Sequence, residues 1–245
     1  MRFAAISDKG IVRDINEDSY RIITNQDGVP DTFIIADGMG GHSSGDVASN
    51  MAVEFAKDYI LNNPEVFSSE ESIFDGIKIL IEEANKAIYE KAVLSKETLG
   101  MGTTFILTIV LNNKLYIGHV GDSRVYLIRN NSIKKLTVDH SYIEELIKNG
   151  SITREEAKNH PKKNIITRAL GCNESILVDT LSSPIDKNDI FVLCTDGLTN
   201  MLSEYKIMEI ILENDDLSYS CSELVRLANE KGGDDNITVI IMKKS

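Results

Sequence analysis

The chain has 245 residues, enough for one sizeable domain, and its 38 Asp and Glu outweigh 26 Lys and Arg to give a formal charge of −12. That balance argues against nucleic acid and anionic membrane as partners. Met1 to Asp8 lacks a signal-peptide apolar core, the apolar run around Phe105 to Leu111 is too short for a bilayer, and three cysteines with no C-x-x-C pair do not suit a disulfide framework. The expectation is a cytoplasmic protein without membrane insertion.

Strands are predicted at Arg2 to Ser7, Ser19 to Thr24 and Thr32 to Ala36, with a turn at Asn25-Gln26-Asp27-Gly28. From Ser44 a helix is predicted, because Val47, Ala48, Met51, Ala52, Phe55 and Tyr59 recur at spacings of three and four. A second helix carries the stripe Ile73, Ile77, Leu80, Ile81, Ala84 and Ile88. Four closely linked runs follow: Thr103 to Leu111, Lys114 to Val120, Val125 to Arg129 and Ile133 to Leu136. Their short links predict an antiparallel meander. The charged stretch from about 139 to 164 holds few core residues. A short helix from Tyr142 should stop at Asn149-Gly150, and Thr153 with Glu156 has capping-box spacing. This stretch is read as a substrate flap, a subregion of a single domain covering 1–245. Strands at Leu177 to Leu181 and Ile190 to Thr195, helices at Ser203 to Leu212 and Ser220 to Lys231, and a last strand at Ile237 to Met242 complete the chain. Two strand groups, each followed by a helix pair, predict an α+β fold of two packed sheets flanked by helices.

Five acidic motifs sit beside the strand runs: Asn16-Glu17-Asp18, Asp37-Gly38, Gly121-Asp122-Ser123-Arg124, Asp196-Gly197 and Asp234-Asp235-Asn236. Asp37 and Asp196 each follow a strand, and Asp235 precedes one. In an antiparallel sheet the end of one strand lies beside the start of its neighbour, so these three carboxylates can share one edge. Gly38 allows a sharp turn and could present its carbonyl to a metal. Clustered carboxylates alone would repel one another; with two hard cations about 3.5–4 Å apart they become a site that activates water and neutralises a phosphate. Taken singly each motif also fits a common turn or a local ion pair, and their combination in this order favours the metal reading.

The motifs, in order, resemble the metal-dependent protein phosphatases of the protein phosphatase 2C type. The matching text includes Ser7-Asp8-Lys9-Gly10 with Arg13 and Asn16-Glu17-Asp18, Asp37-Gly38-Met39-Gly40-Gly41-His42, Gly102-Thr103-Thr104, Gly121-Asp122-Ser123-Arg124, Asp139-His140-Ser141, Thr195-Asp196-Gly197 and Gly233-Asp234-Asp235-Asn236. The resemblance covers nearly the whole chain and looks most like compact bacterial members. It implies a four-layer sandwich, with two central antiparallel sheets between helix pairs. It also implies hydrolysis of phosphoserine and phosphothreonine in proteins by a metal-bridging water or hydroxide. Asp37 would bridge two Mn²⁺ or Mg²⁺ ions with the Gly38 carbonyl. Asp196 and Asp235 would complete the first ion's shell, Asp18 would act through a metal-bound water, and Asp122 would hold a third, weaker ion. Arg13 is expected to clamp the phosphate, since its planar guanidinium can pair two oxygens; the plainer alternative is an ion pair with Asp14 or Glu17. His42 is a candidate for protonating the leaving oxygen, for holding a metal-bound water, or for capping the helix from Ser44. The implied partners are phosphorylated proteins, including a cognate Ser/Thr kinase, acted on by a monomer.

Overall fold

The computed structural model describes residues 1–40, 44–157 and 160–244. Numbered along the chain, strands β1 (Arg2–Asp8), β7 (Arg124–Arg129), β8 (Ser132–Lys135), β10 (Ile190–Cys194) and β11 (Ile237–Lys243) form one antiparallel sheet in the order β1-β11-β10-β7-β8. A second sheet is built from β2 (Asp18–Ile23), β3 (Thr32–Met39), β5 (Phe105–Leu111), β6 (Lys114–Val120) and β9 (Asp179–Pro184), ordered β2-β3-β5-β6-β9. The two-residue strand β4 (Gly102–Thr103) pairs with the end of β3.

Alternation along the central strands explains the layers. In β3, Phe33 and Ile35 face a core between the sheets, while Ile34 and Ala36 face helices α1 (Gly45–Asn62) and α2 (Ile73–Leu94). In β10, Phe191 and Leu193 meet that same inter-sheet core, and Val192 and Cys194 face α6 (Glu204–Glu213) and α7 (Leu217–Glu230). Each strand buried on both faces therefore reads as a continuous apolar run. Burying each large side chain contributes about 1.5–3 kcal/mol, so the three cores hold both sheet edges rigidly against each other. The predicted α+β four-layer sandwich is the observed one.

Local chemistry sets the element ends. The predicted four-strand meander is instead two hairpins, β5–β6 in one sheet and β7–β8 in the other, because the chain crosses between sheets after β6. Asn112 and Asn113 have φ of 50° and 56°, and Asn130 and Asn131 have 51° and 57°, so both hairpins turn on asparagine pairs in the left-handed region. Asp216 accepts hydrogen bonds from the Ser218 and Tyr219 amides and starts α7 three residues before the predicted Ser220. The predicted strand at Leu177 to Leu181 is displaced to β9, where pairing with β6 rather than local hydropathy decides the register. In the excursion, α3 (Tyr142–Lys148) ends at Asn149-Gly150, with Gly150 at φ 76°, and the Thr153–Glu156 capping box opens α4 (Arg154–Ala157). Among the described residues no helix is long and apolar enough to cross a membrane, and all three cysteines are free.

Candidate active site

One end of the sandwich brings the acidic motifs together. Asp37 lies inside β3, two residues before its end and not after the strand as expected, and pairs with Asp18 on β2. Asp196 begins the four-residue helix α5 (Asp196–Thr199) directly after β10, and Asp235 precedes the neighbouring β11. The Thr195 amide donates to the Thr238 carbonyl at 3.1 Å, which draws these two ends together. Gly197 is packed so closely there that a Cβ would stand 2.1 Å from the Asn236 carbonyl oxygen. At Gly38 a Cβ would meet the Gly45 and Glu17 carbonyl oxygens at 2.1 and 2.6 Å, so only glycine fits between β3 and the start of α1.

A cavity of about 240 Å³ opens here, and Arg13, Asp37, Gly38, Asp122, Asp196 and Asp235 all line it. Asp18 does not. It lies beneath the floor, 8 % exposed, where Oδ2 accepts from Thr195 Oγ1 at 2.9 Å and Thr238 Oγ1 at 2.7 Å. Its Oδ1 is buried with no hydrogen-bond partner. Glu17, the adjacent residue, faces the cavity instead, and its Oε1 accepts from the Gly45 amide at 3.1 Å. The sequence reading missed Glu17 as a wall residue, along with Thr104 and Asn164. Glu17 lies just before β2 and no local pattern says which of it and Asp18 faces the cavity; Thr104 belongs to a quoted motif, and Asn164 carries no local signal. His42 lies outside the described residues.

The electrostatics suit a cationic guest. Burial, and then the charges of Asp18 and Asp196, raise the Asp37 carboxyl well above its ordinary value even though one side opens to the cavity. Burial and Asp196 push Asp122 up to about 7, and burial pushes Asp18 up to about 7 against its two threonine hydrogen bonds. Asp196 is raised by burial and by Asp235, partly offset by a hydrogen bond from Asn200 Nδ2 at 3.0 Å. Among the described residues no three Asp, Glu, His or Cys side chains form a finished ligand set. The donors are nonetheless all oxygen, they carry unfavourable like charge, and one of them is an orphaned buried oxygen. Hard divalent cations would answer each of these features.

The cationic wall is Arg13. Its Nη2 donates to Asp235 Oδ2 at 2.8 Å and its Nε reaches the Asp234 carbonyl at 3.4 Å, so the pairing with Asp14 or Glu17 considered above does not form. The loop bearing Arg13 hangs on Asn236. Asn236 Nδ2 donates to the Lys9 and Ile15 carbonyls at 2.8 and 2.9 Å, and Oδ1 accepts from the Glu17 amide at 2.8 Å. Asn236 is 4 % exposed, so Asn236→Ala leaves buried groups unsatisfied at about 1–3 kcal/mol each. The expected result is a loss of about 2–4 kcal/mol in urea denaturation together with reduced activity; an unchanged midpoint would show that the loop does not depend on it.

Asp37 itself is held by its backbone. Its carbonyl accepts from the Thr104 amide at 2.8 Å and Thr103 Oγ1 at 2.9 Å, and its amide donates to Thr104 Oγ1 at 3.0 Å. Thr104 Oγ1 also meets Ser123 Oγ at 2.8 Å, linking the Gly-Thr-Thr and Gly-Asp-Ser-Arg motifs. Arg124 grips Asp139 with Nε at 3.0 Å and Nη2 at 2.7 Å, tying that motif to the root of the 139–164 excursion. A larger cavity of about 420 Å³ opens beneath α3 and α4 and shares Asp122, Asn164 and Asp196 with the smaller one.

A layered sandwich with carboxylates converging at one end of its two sheets, and an arginine at the lip, defines the class of protein this is. The sequence model described as Protein phosphatase 2C matches residues 11–237, and the chain belongs to the protein phosphatase 2C family. It is 41 % identical over 239 residues to the serine/threonine phosphatase stp of Listeria welshimeri, covering 98 % of this chain and 94 % of that one. It is 36 % identical over 243 residues to the protein phosphatase PhpP of Streptococcus pneumoniae, covering 99 % and 97 %. The solved serine/threonine phosphatase of Streptococcus agalactiae superposes with a TM-score of 0.92 at 36 % identity, covering 100 % of this chain and 99 % of that one. The catalytic domain of PstP, solved in complex with two manganese ions, gives 0.83 at 30 % identity, covering 100 % and 98 %.

Proposed function

We propose that this chain is a serine/threonine phosphoprotein phosphatase that works with two divalent cations, Mn²⁺ or Mg²⁺, at the cavity of Asp37, Asp196 and Asp235. The observation that carries this reading is the convergence of those carboxylates, with Glu17 and Asp122, on one cavity beside Arg13. Its phosphatase relatives align over nearly the full chain.

In this reading Asp37, the Gly38 carbonyl, Asp196 and Asp235 would hold the two ions, and Asp122 would serve a third. The bound cations would lower the pKa of a water for in-line attack and offset charge on the phosphoryl oxygens. Arg13 does the remaining binding: it can swing from Asp235 to the phosphate and hold two oxygens in its planar fork. Asp18, below the floor and opposite Asp37 on β2, would act through a metal-bound water, its unpartnered Oδ1 being the atom left to accept from it. The serine or threonine oxygen needs a proton as it leaves, and His42 is the sequence candidate for supplying it. Helices α3 and α4, which roof the larger cavity, belong to the substrate flap. The chain acts as one domain and as a monomer in the cytoplasm, opposing a Ser/Thr kinase.

The test is phosphate release from a phosphothreonine peptide with Mn²⁺ and with EDTA. Release that requires Mn²⁺ and exceeds that from small phosphate esters is expected; equal activity on small esters would point to a general phosphoesterase, and metal binding without release to a phosphoprotein-binding module. Arg13→Ala removes a charge-assisted pair worth about 1.5–3 kcal/mol. It is therefore expected to lower kcat/KM by about 10- to 100-fold, mostly through KM. Full kcat/KM in that variant would remove Arg13 from phosphate binding.

A further inference from the structure

The turn that carries Asp122 is shaped by a histidine outside the cavity wall. Gly121 adopts φ 110°, and a Cβ there would stand 2.6 Å from the Thr104 side chain. Its amide donates to His140 Nδ1 at 3.0 Å, and its carbonyl accepts from the His140 amide at 2.8 Å. His140 thus closes on Gly121 through ring and backbone together. Its other ring nitrogen, Nε2, lies 3.3 Å from Asp179 Oδ2 and 3.2 Å from Arg168 Nη1. Arg168 Nη1 in turn donates to Asp179 Oδ1 at 2.8 Å.

These contacts decide where the ring proton sits. Nδ1 accepts from an amide, so it carries no proton. Arginine only donates, so an Nε2 proton has Asp179 as its acceptor. Burial holds the His140 pKa below the ordinary histidine value against the Asp179 hydrogen bond, in keeping with a neutral ring. His119 packs against that ring at a centroid distance of 4.6 Å and is itself wholly buried. A ring flip would have to displace it and would break both polar contacts at once. On the far side, the His140 carbonyl accepts from the Thr167 amide at 2.7 Å, fixing the backbone.

We propose that His140, held as the Nε2–H tautomer by Asp179 and braced by Arg168 and His119, is a positioning residue that sets the Gly121 turn and so aims Asp122 into the cavity. The proposal rests on the phosphatase reading for its effect on turnover. It touches no reacting atom. A carboxylate behind a histidine that orients a site loop acts as outer-shell partners of metal ligands do, where substitution lowers affinity or activity by about 10- to 100-fold.

The experiment compares wild type, His140→Ala and His140→Asn. The asparagine carbonyl stands close to the place of Nδ1 and can accept from the Gly121 amide; alanine cannot. In wild type, imidazole ¹⁵N spectra should show protonated Nε2 and bare Nδ1 at His140. His140→Ala should lose about 10- to 100-fold in kcat on a phosphothreonine peptide or in Mn²⁺ affinity by calorimetry, with KM little changed, and His140→Asn should recover most of that loss. An Nδ1–H tautomer in wild type, or a folded His140→Ala with unchanged kcat and unchanged Mn²⁺ affinity, would overturn the proposal. Should His140→Ala not fold, Asp179→Ala at the more exposed end of the relay carries the same test, with a smaller loss expected and no change in either readout overturning it. Wild type that binds Mn²⁺ without hydrolysing the peptide, while His140→Ala binds it more weakly, would retire the phosphatase reading and leave the positioning role standing.

Discussion

Asp37→Asn is expected to slow phosphate release from a phosphothreonine peptide by about 10³-fold or more, a barrier increase of about 4 kcal/mol, while the protein stays folded. The Asp37 backbone is held in place by hydrogen bonds with Thr103 and Thr104, and its side chain faces the same cavity as Asp196, Asp235 and Asp122. An amide keeps the size of the side chain but removes the negative charge that would lie between two cations, and metal catalysis of this kind is worth several kcal/mol. The folding effect has the opposite sign. Burial, then Asp18 and Asp196, already disfavour the ionised Asp37 in the folded protein, so a neutral amide relieves repulsion there. In EDTA near pH 8 the variant should melt no lower than wild type, and calorimetry on the two proteins checks this. A variant that retained wild-type turnover would remove Asp37 from the metal site.

Stripped of metal, the protein should lose stability as the pH rises from about 6.5 to 8. Asp18 and Asp122 are pushed up to about 7 by burial, from 3.8, and Asp37 is raised well above 3.8. When folded pKa values are raised, the folded state keeps protons that the unfolded chain has already released. Stability then falls as pH rises, by about 1.4 kcal/mol per unit for each group still titrating. Below about 6.5 this trend is opposed by His119, which burial drives down to about 3, and by His140, which burial also lowers against its Asp179 hydrogen bond, so that acid favours the unfolded chain with its histidines charged. At still lower pH, Asp139 adds to the loss: although burial alone would raise it, Arg124 and Lys135 hold it below 3.8, and that stabilisation disappears as it protonates. The clean window is therefore 6.5 to 8, where the expected loss is on the order of 2 kcal/mol. Mn²⁺ at about a hundred times its dissociation constant should restore about 2.7 kcal/mol by binding the folded state. Urea denaturation at several pH values, with EDTA and with Mn²⁺, measures both. A metal-free protein whose stability is flat or rising over that window would contradict the carboxylate cluster as its origin.

The sequence by itself determined the layers and most of the cavity. Strands buried on both faces must be continuous apolar runs, and Phe33 to Ala36 and Ile190 to Cys194 show that plainly. Aspartate near a strand end followed by glycine is legible, but the sharp turn expected at Gly38 does not form: β3 runs on to Met39, and glycine is needed at Gly38 and Gly197 because a Cβ would stand 2.1 Å from the carbonyl oxygen of Gly45 or Asn236. What a local pattern cannot carry is which of two adjacent carboxylates looks outward. Glu17 and Asp18 point to opposite sides, and only the packing of one sheet on the other makes Glu17 a wall and buries Asp18 under Thr195 and Thr238. The same holds for pairings across long stretches of chain. Arg13 meets Asp235, Asn236 holds the loop before Glu17, and His140 reaches Gly121 and Asp179. Such contacts are set by where strand ends land in the finished sandwich, a property of the whole fold rather than of any local stretch of residues.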